Sequence, residues 1–181
     1  MNISNDQKKF LLELARKVIS CHLNKVPFNE PCPEDSFLHE KSGCFVSLHL
    51  DKKLRGCIGY VFPYKTIYDS VVEMAGAVAF RDPRFSPITP EEFEKSKIEI
   101  SILSAMIPIK GPEDIVIGRD GLYLKHPYGT GMLLPQVATE WDLDPTSFLE
   151  ETSRKAGLPP RLWKDPVARI FRFEADIFSE E

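Results

Sequence analysis

Apolar residues recur with the spacing of a helix at the start of the chain and with the spacing of strands further on. Ser4 to Leu23 is predicted to form a helix, because its apolar residues repeat every three or four positions. These residues are Phe10, Leu11, Leu14, Ala15, Val18 and Ile19. Ser4 and Gln7 form the capping-box pattern that begins many helices. Residues 24 to 42, where prolines stand among polar residues, are predicted to be irregular.

Residues 43 to 104 combine both kinds of pattern. Alternation of polar and apolar residues predicts strands, and an apolar stripe at helical spacing predicts a helix between them. The predicted elements are strands at Cys44–Leu50 and Leu54–Val61, helices at Thr66–Phe80 and Pro90–Lys95, and a strand at Lys97–Leu103. Pro63 ends the first two strands, which we expect to form a hairpin.

Residues 115 to 178 repeat this order. The predicted elements are strands in the stretches DGLYLKHP and GMLLP, a helix at Gln136–Trp141, a helix that Asp144 caps and Gly157 ends, and a long strand at Val167–Phe178. Hairpin, proline, helix, helix and strand therefore occur twice, with Pro63 and Pro135 at matching places. This repeated order predicts an internal duplication.

These elements predict an α+β fold, in which antiparallel strands have helices outside them. The length of 181 residues suits a single domain, 1–181. In this interpretation an N-terminal helix at about 4–23 precedes two related halves, at about 43–104 and 115–178.

Composition narrows the range of functions. Hydrophobic residues make up 43% and charged residues 28%, as in many soluble globular proteins. The net charge of -4 argues against nucleic-acid binding, because phosphate contacts need a basic surface. The apolar runs are shorter than a membrane span, and no secretory signal pattern begins the chain. We therefore expect a cytoplasmic protein that acts neither on a membrane nor on nucleic acid.

The cysteines are spread along the chain without a paired spacing. They are Cys21, Cys32, Cys44 and Cys57. Zinc sites usually place two cysteines close together in the sequence, so we expect no metal site. Disulfides are also not expected in a cytoplasmic setting.

The stretch LRGCIGY, Leu54 to Tyr60, reads as a strand that carries reactive side chains between two glycines. If Leu54 and Ile58 share the apolar face of Leu48, the hairpin loop must have an odd number of residues, most simply Asp51-Lys52-Lys53. That register places these residues together on the other face: Ser47, His49, Arg55, Cys57 and Gly59. Arg55 is then expected opposite His49, and Cys57 opposite Ser47. Glu99, on the polar face of its own strand, is a possible partner of Arg55.

This arrangement predicts a site for catalysis or ligand binding. Cys57 is the candidate nucleophile, Arg55 would favour its thiolate, and His49 or Asp82 would move protons. The candidate ligand-binding residues are Gly56, Gly59, Asp82, Arg84 and Glu99. The glycines let a ligand or another backbone approach the sheet closely.

Arginine binds carboxylate or phosphate through its planar fork, so Arg55 and Arg84 indicate a substrate that carries such a group. Structural alternatives remain open for each residue. Cys57 can be a small core residue and His49 an ordinary strand residue. Asp82 and Arg84 can satisfy one another within their loop.

Six stretches of the sequence together resemble the AMMECR-type domain family. They are LRGCIGY, DPRFSP, ISILS, GRDGLYL, MLLPQVATE and KAGLP, in this order, and the similarity runs from about Gly43 to Trp163. In prokaryotes, members of this family are called protein A of the AmmeMemoRadiSam system. The resemblance implies an α+β fold whose two related halves share one antiparallel, barrel-like sheet.

The resemblance also implies partners, a Memo-like protein and a radical SAM enzyme, but it implies no particular reaction or cofactor. The characteristic positions include the stretch from Leu54 to Gly59, with Asp82, Arg84, Phe85, Gly121, Leu134, Pro135, Gln136, Lys155, Ala156 and Gly157. Ser153 departs from the family pattern, in which many members have cysteine before KAGL. This departure leaves Cys57 as the stronger candidate for a catalytic thiol.

Two functional hypotheses follow. In the first, the LRGCIG strand forms a small-molecule-binding or thiol-dependent catalytic site that works alongside these enzymes. In the second, the chain is a non-catalytic partner that docks on them or delivers their substrate, and Cys57 only packs.

Overall fold

The structure, a computed structural model, describes residues 3–181. Its α-helices are α1 (Asn5–Leu23), α2 (Ser36–His39), α3 (Ile67–Phe80), α4 (Pro90–Lys95), α5 (Pro135–Glu140) and α6 (Pro145–Lys155). Its strands are β1 (Gly43–Leu50), β2 (Lys53–Tyr60), β3 (Lys97–Leu103), β4 (Ile107–Ile109), β5 (Asp120–His126), β6 (Gly129–Leu133) and β7 (Arg169–Ser179). Short 3₁₀ helices lie at Pro112–Asp114 and Pro160–Lys164.

The chain divides into two compact units. Unit 1 comprises the described residues up to Leu103 together with Asp176–Glu181, and unit 2 comprises Ser104–Ala175. β7 therefore begins in unit 2 and ends in unit 1. Among residues 3–181, no helix has both the length and the hydropathy that a membrane crossing requires.

Unit 1 is built on an antiparallel sheet with helices on one face. β1 lies between β2 and β3, and β7 is the next strand after β3. Alternate residues of these strands, such as Val46, Leu48 and Ile100, are fully buried in one core with residues of α1 and α3. This burial of one strand face explains the alternating pattern in the sequence.

Capping residues begin the helices of unit 1 where the sequence predicts. The Ser4 hydroxyl accepts a hydrogen bond from the Gln7 backbone, and the Gln7 side chain accepts one from the Ser4 backbone. Thr89 and Glu92 form the same reciprocal box at α4. Each box satisfies backbone N–H groups that have no partner within the helix.

Unit 2 is built on antiparallel strands and has its own core. β5 lies between β6 and β7, and β4 pairs with β7. Leu122 and Leu124 of β5 pack with Phe148 and Leu149 of α6, and all four are fully buried. Asp144 caps α6 by accepting a hydrogen bond from the Ser147 backbone.

The predicted α+β class is confirmed, since both units contain antiparallel strands with helices packed against them. The predicted helices and strands all occur with bounds close to those expected, whereas α2, β4 and the 3₁₀ segments were not predicted. The order hairpin, helix, helix, strand is present in both halves. Their duplication stays a prediction, which superposing residues 43–104 on 115–178 tests.

The hairpin of β1 and β2 differs from the prediction at its turn. The loop has two residues rather than three, and both Asp51 and Lys52 have positive φ, 51° and 62°. This is the backbone of a type I′ turn, whose twist matches that of the strands. The extra residue lies further along, in a β-bulge at Arg55. Leu54 pairs with His49, and Gly56 pairs with Leu48.

The bulge restores the register that the sequence requires. Ser47 pairs with Cys57 and Val46 with Ile58, as predicted, because the bulge supplies the odd residue in place of the loop. Two details of the prediction are wrong. Leu54, not Arg55, lies opposite His49, and Leu54 is outside the apolar core with 46% of its surface exposed.

Candidate functional site

A row of polar side chains crosses three strands of unit 1 on the face opposite the helices. Ser47 of β1 pairs with Cys57 on one side and with Glu99 of β3 on the other. His49 lies two residues beyond Ser47 and therefore on the same face. We call these residues, His49, Ser47, Cys57 and Glu99, the polar row.

The imidazole of His49 and the carboxylate of Glu99 form a close pair. His49 Nε2 lies 3.7 Å from Glu99 Oε1, and the two side chains are 32% and 27% exposed. Among residues 3–181, no hydrogen-bond partner satisfies His49 Nε2, although this atom is itself buried. The pair therefore keeps unused hydrogen-bonding capacity at a partly accessible position.

The Cys57 thiol is not activated by its surroundings. Burial raises the pKa of Cys57 above its ordinary value. A hydrogen bond with the Ser47 side chain and the charge of Arg84 lower this pKa, but they do not cancel the effect of burial. Cys57 is consequently a neutral thiol near neutral pH. It is a weak nucleophile in this state, because only the thiolate is strongly nucleophilic.

Arg55 does not join the polar row, and its predicted effect on the Cys57 thiolate is wrong. Its guanidinium donates to both carboxylate oxygens of Glu92, at 3.2 and 3.0 Å, and to the Ser86 carbonyl at 2.9 Å. It also lies over the Phe85 ring. The bulge causes this, since an extra residue in β2 turns the Arg55 side chain to the other face of the strand. The expected pair of Arg55 with Glu99 is replaced by Arg55–Glu92 and His49–Glu99.

Asp82 and Arg84 form hydrogen bonds with the backbone at the free edge of β2. The Asp82 carboxylate accepts the Cys57 backbone N–H at 3.0 Å, and Arg84 donates to the Cys57 carbonyl at 2.9 Å. These side chains take the places that a further strand would fill. They also bind each other, as the structural alternative predicts.

The Asp82 carboxylate has no free lone pair in this arrangement. Oδ1 accepts from the Arg84 backbone N–H and from Nε, and Oδ2 accepts from Cys57 and from Arg84 Nη2. The Arg84 guanidinium and these backbone donors hold the pKa of Asp82 well below its usual range. An ionised carboxylate accepts about four hydrogen bonds, so Asp82 is saturated by the protein.

Both glycines of the LRGCIG strand are explained by contacts inside unit 1. A Cβ at Gly56 would lie 2.9 Å from the Val78 carbonyl of α3, which is too close for any side chain. A Cβ at Gly59 would collide with the Phe45 ring and the Cys44 carbonyl. The predicted close approach of another backbone is therefore present at both glycines, and the Phe45 ring also covers Gly59.

The structure thus divides the predicted site residues into two groups. Cys57, His49 and Glu99 come together in the polar row, whereas Arg55, Gly56, Gly59, Asp82 and Arg84 hold β2 against its neighbours. Glu92 was missed as the partner of Arg55. Its only sequence signal is the capping box with Thr89, which does not indicate a second partner.

Within the described part of the chain, no group of three or more His, Cys, Asp or Glu residues is arranged to hold a metal ion.

Comparison with known proteins assigns the chain to a family. The model of the AMMECR1 family matches residues 12–178. A protein of Thermococcus gammatolerans is 41% identical over 99% of this chain and 93% of its own length. A protein of Methanothermobacter thermautotrophicus is 41% identical over 99% of this chain and 97% of its own length. The crystal structure of protein PH0010 from Pyrococcus horikoshii matches with a TM-score of 0.91 at 38% identity, over 99% of this chain and 94% of that one. The chain therefore belongs to the AMMECR1 family.

Proposed function

We propose that unit 1 binds a small polar metabolite at the polar row. The observation that carries this proposal is the alignment of Cys57, Ser47 and Glu99 across three neighbouring strands, with His49 3.7 Å from Glu99. Polar groups that converge on a sheet and keep unused hydrogen-bonding capacity, as His49 Nε2 does here, are typical of binding sites. The proposal leaves out Asp82 and Arg55, because hydrogen bonds within the protein already hold their charged groups.

The chemistry of the row indicates what kind of molecule it takes. Glu99 offers carboxylate oxygens, and Ser47 offers a hydroxyl that both donates and accepts. A metabolite with hydroxyl or amino groups would satisfy Glu99 and the unbonded Nε2 of His49. Leu54, exposed on the same face, gives the row an apolar border that covers part of such a molecule.

Thiol-dependent catalysis at this row needs a base, because the pKa of Cys57 is raised by burial. The row itself offers His49 and Glu99 for this purpose. Proton transfer to a positioned imidazole is a common route to an active thiolate. In this proposal, binding comes first, and Cys57 reacts only when the metabolite and the base are both in place.

Binding is tested by incubating the purified full chain with a metabolite extract and identifying retained molecules by native mass spectrometry. Glu99→Gln should reduce retention of a specific metabolite about tenfold or more, because it removes a charge that accepts hydrogen bonds. Glu94→Gln, an exposed glutamate of α4, is the matched control and should retain the metabolite fully. Equal retention by both variants, or no retained metabolite in the wild type, would contradict the proposal.

The catalytic part is tested separately with Cys57→Ser. If the thiol takes part in chemistry, this variant retains the metabolite but no longer converts it, as liquid chromatography with mass spectrometry would show. Unchanged conversion would exclude Cys57 as the nucleophile and leave a binding site only.

A non-catalytic role is favoured by one observation, the exposure of Leu54 beside the polar row. An apolar residue at such a place is also suited to a protein partner, and the Memo-like and radical SAM proteins are the proposed candidates. Size-exclusion chromatography of purified pairs tests this. Leu54→Ser should abolish co-elution if this face is the contact, while Val26→Ser, also exposed in unit 1, should not.

A further inference from the structure

Two cationic side chains stand directly opposite each other where β5 ends and β7 begins in unit 2. Lys125 pairs with Arg169 across the two antiparallel strands. Such neighbours have Cβ atoms about 5 Å apart, and like charges at this distance destabilise a sheet. A protein usually offsets this arrangement with an acidic neighbour.

No acidic side chain of the described residues pairs with Lys125 or Arg169. Both side chains are exposed, and among residues 3–181 neither forms an ion pair or a side-chain hydrogen bond. Asp165 lies near this end of the sheet but is engaged elsewhere. Its Oδ1 accepts the Val167 backbone N–H at 2.9 Å, and its Oδ2 lies 3.8 Å from His126 Nε2.

His126, the last residue of β5, adds a buried donor beside these cations. The Tyr128 backbone N–H donates to His126 Nδ1 at 3.3 Å, so the imidazole hydrogen belongs on Nε2. Nε2 is buried and has no hydrogen-bond partner within the described residues, and the histidine as a whole is only 5% exposed. A buried donor without an acceptor costs free energy unless something completes it.

These residues border one cleft. It has a volume of about 370 Å³ and is lined by Lys125, His126, Pro127, Val167 and Arg169. The Tyr128 ring, 84% exposed, lies 5.2 Å from the His126 ring. The cleft thus combines positive charge with apolar and aromatic surface, and its size suits a small molecule.

We propose that this cleft binds the phosphate group of a small molecule. A phosphate between Lys125 and Arg169 removes their mutual repulsion, and the Arg169 fork can donate two parallel hydrogen bonds to it. Pro127 and Val167, which line the cleft, then cover the organic part of the ligand. The site uses residues of unit 2 alone and does not depend on the polar row.

The probe is inorganic phosphate, titrated into the full chain at constant ionic strength and followed by backbone NMR. Saturable shifts of the amides of His126, Tyr128 and Arg169 are expected, and acetate at equal ionic strength should shift them much less. Arg169→Gln and Lys125→Gln should each weaken phosphate binding about tenfold, because each removes a charge-assisted contact. Arg169→Lys should recover part of the loss, since it restores charge without the fork.

The control is Lys110→Gln, which removes another exposed cation of unit 2 with no ion pair among the described residues. It should bind phosphate as the wild type does. Without phosphate, Lys125→Gln should be at least as stable as the wild type, because it relieves the repulsion. Equal weakening by Lys110→Gln and Arg169→Gln, or no saturable shift in the wild type, would overturn the proposal.

Discussion

At the scale of single residues, most positions of the LRGCIG stretch serve to pack and hold β2. Gly56 makes room for the α3 backbone, and the Cys57 backbone is bound by Asp82 and Arg84. Cys57 itself is a neutral thiol whose pKa is raised by burial. Within LRGCIG, the group that is available for chemistry is therefore the Cys57 side chain, together with its cross-strand neighbours.

Asp82→Asn should destabilise the protein at neutral pH by about 1–3 kcal/mol, because it removes the charge of a buried carboxylate that accepts several hydrogen bonds, while its partner Arg84 is half-exposed. The pKa of Asp82 is lowered in the folded protein by the Arg84 guanidinium and by backbone donors. Its contribution is thus fully present above the ordinary carboxyl pKa of about 3.9 and is lost as the pH falls towards the folded value. Urea unfolding at several pH values measures the difference between wild type and variant.

That difference should shrink progressively below about pH 4, where the unfolded carboxyl takes up a proton. Glu94→Gln, which removes an exposed carboxylate of the same unit, should change the free energy of unfolding by less than about 0.5 kcal/mol. A difference between wild type and Asp82→Asn that stays constant from pH 7 to pH 3 would show that packing, not charge, explains the effect.

At the scale of elements, the β1–β2 hairpin shows how two local irregularities produce one register. A two-residue turn alone would place Cys57 on the apolar face, and the bulge at Arg55 reverses this. The same bulge directs Arg55 to Glu92, which belongs to the capping box of α4. β2 and α4 are therefore joined by Arg55, the residue at the bulge that corrects the register.

Lys52→Gly should stabilise the protein by about 0.5–1 kcal/mol, because Lys52 has a φ of 62° in the turn and glycine adopts this conformation without strain. Thermal or urea unfolding measures the change. Lys53→Gly, one residue later in β2, is the matched control and should destabilise instead, because glycine weakens a strand. If both variants destabilise the protein equally, the turn is not under conformational strain.

At the scale of the whole molecule, unit 1 is completed by the last residues of the chain. The Glu180 backbone N–H donates to the Ile98 carbonyl, and its carboxylate accepts the Ile98 N–H at 2.8 Å. The same carboxylate binds Arg16 of α1 through both Nε and Nη2. Residues that follow unit 2 in the sequence therefore bind both β3 and α1 of unit 1.

Glu180→Gln should lower the free energy of unfolding by about 1–2 kcal/mol, because a hydrogen bond to a charged group is replaced by a weaker neutral one. Arg16 is only one-third exposed, so solvent replaces the lost charge incompletely. Glu181→Gln removes the neighbouring exposed charge and should have no measurable effect. Equal effects of the two substitutions in urea unfolding would contradict this role of Glu180.

The sequence alone determines the elements and the faces they bury. Periodicity predicts the long helix α1, the strands of both halves and the α+β class, because spacing reports directly on which side chains face a core. Capping residues such as Thr89 and Asp144 mark helix starts through hydrogen bonds to residues three positions away. The pairing of Cys57 with Ser47 also follows from alternation, since only one register buries the apolar set.

The tertiary structure decides the partners of the charged residues. Arg55 and Glu92 are 37 positions apart, and Cys57 and Asp82 are 25 apart, so their contacts depend on how α3 and the following loop pack against β2. No local pattern distinguishes the bulge at Arg55 from a longer turn, because both insert one residue into the same alternation. The sequence therefore specifies which face each strand buries, and only long-range packing specifies which side chains remain free to bind a ligand.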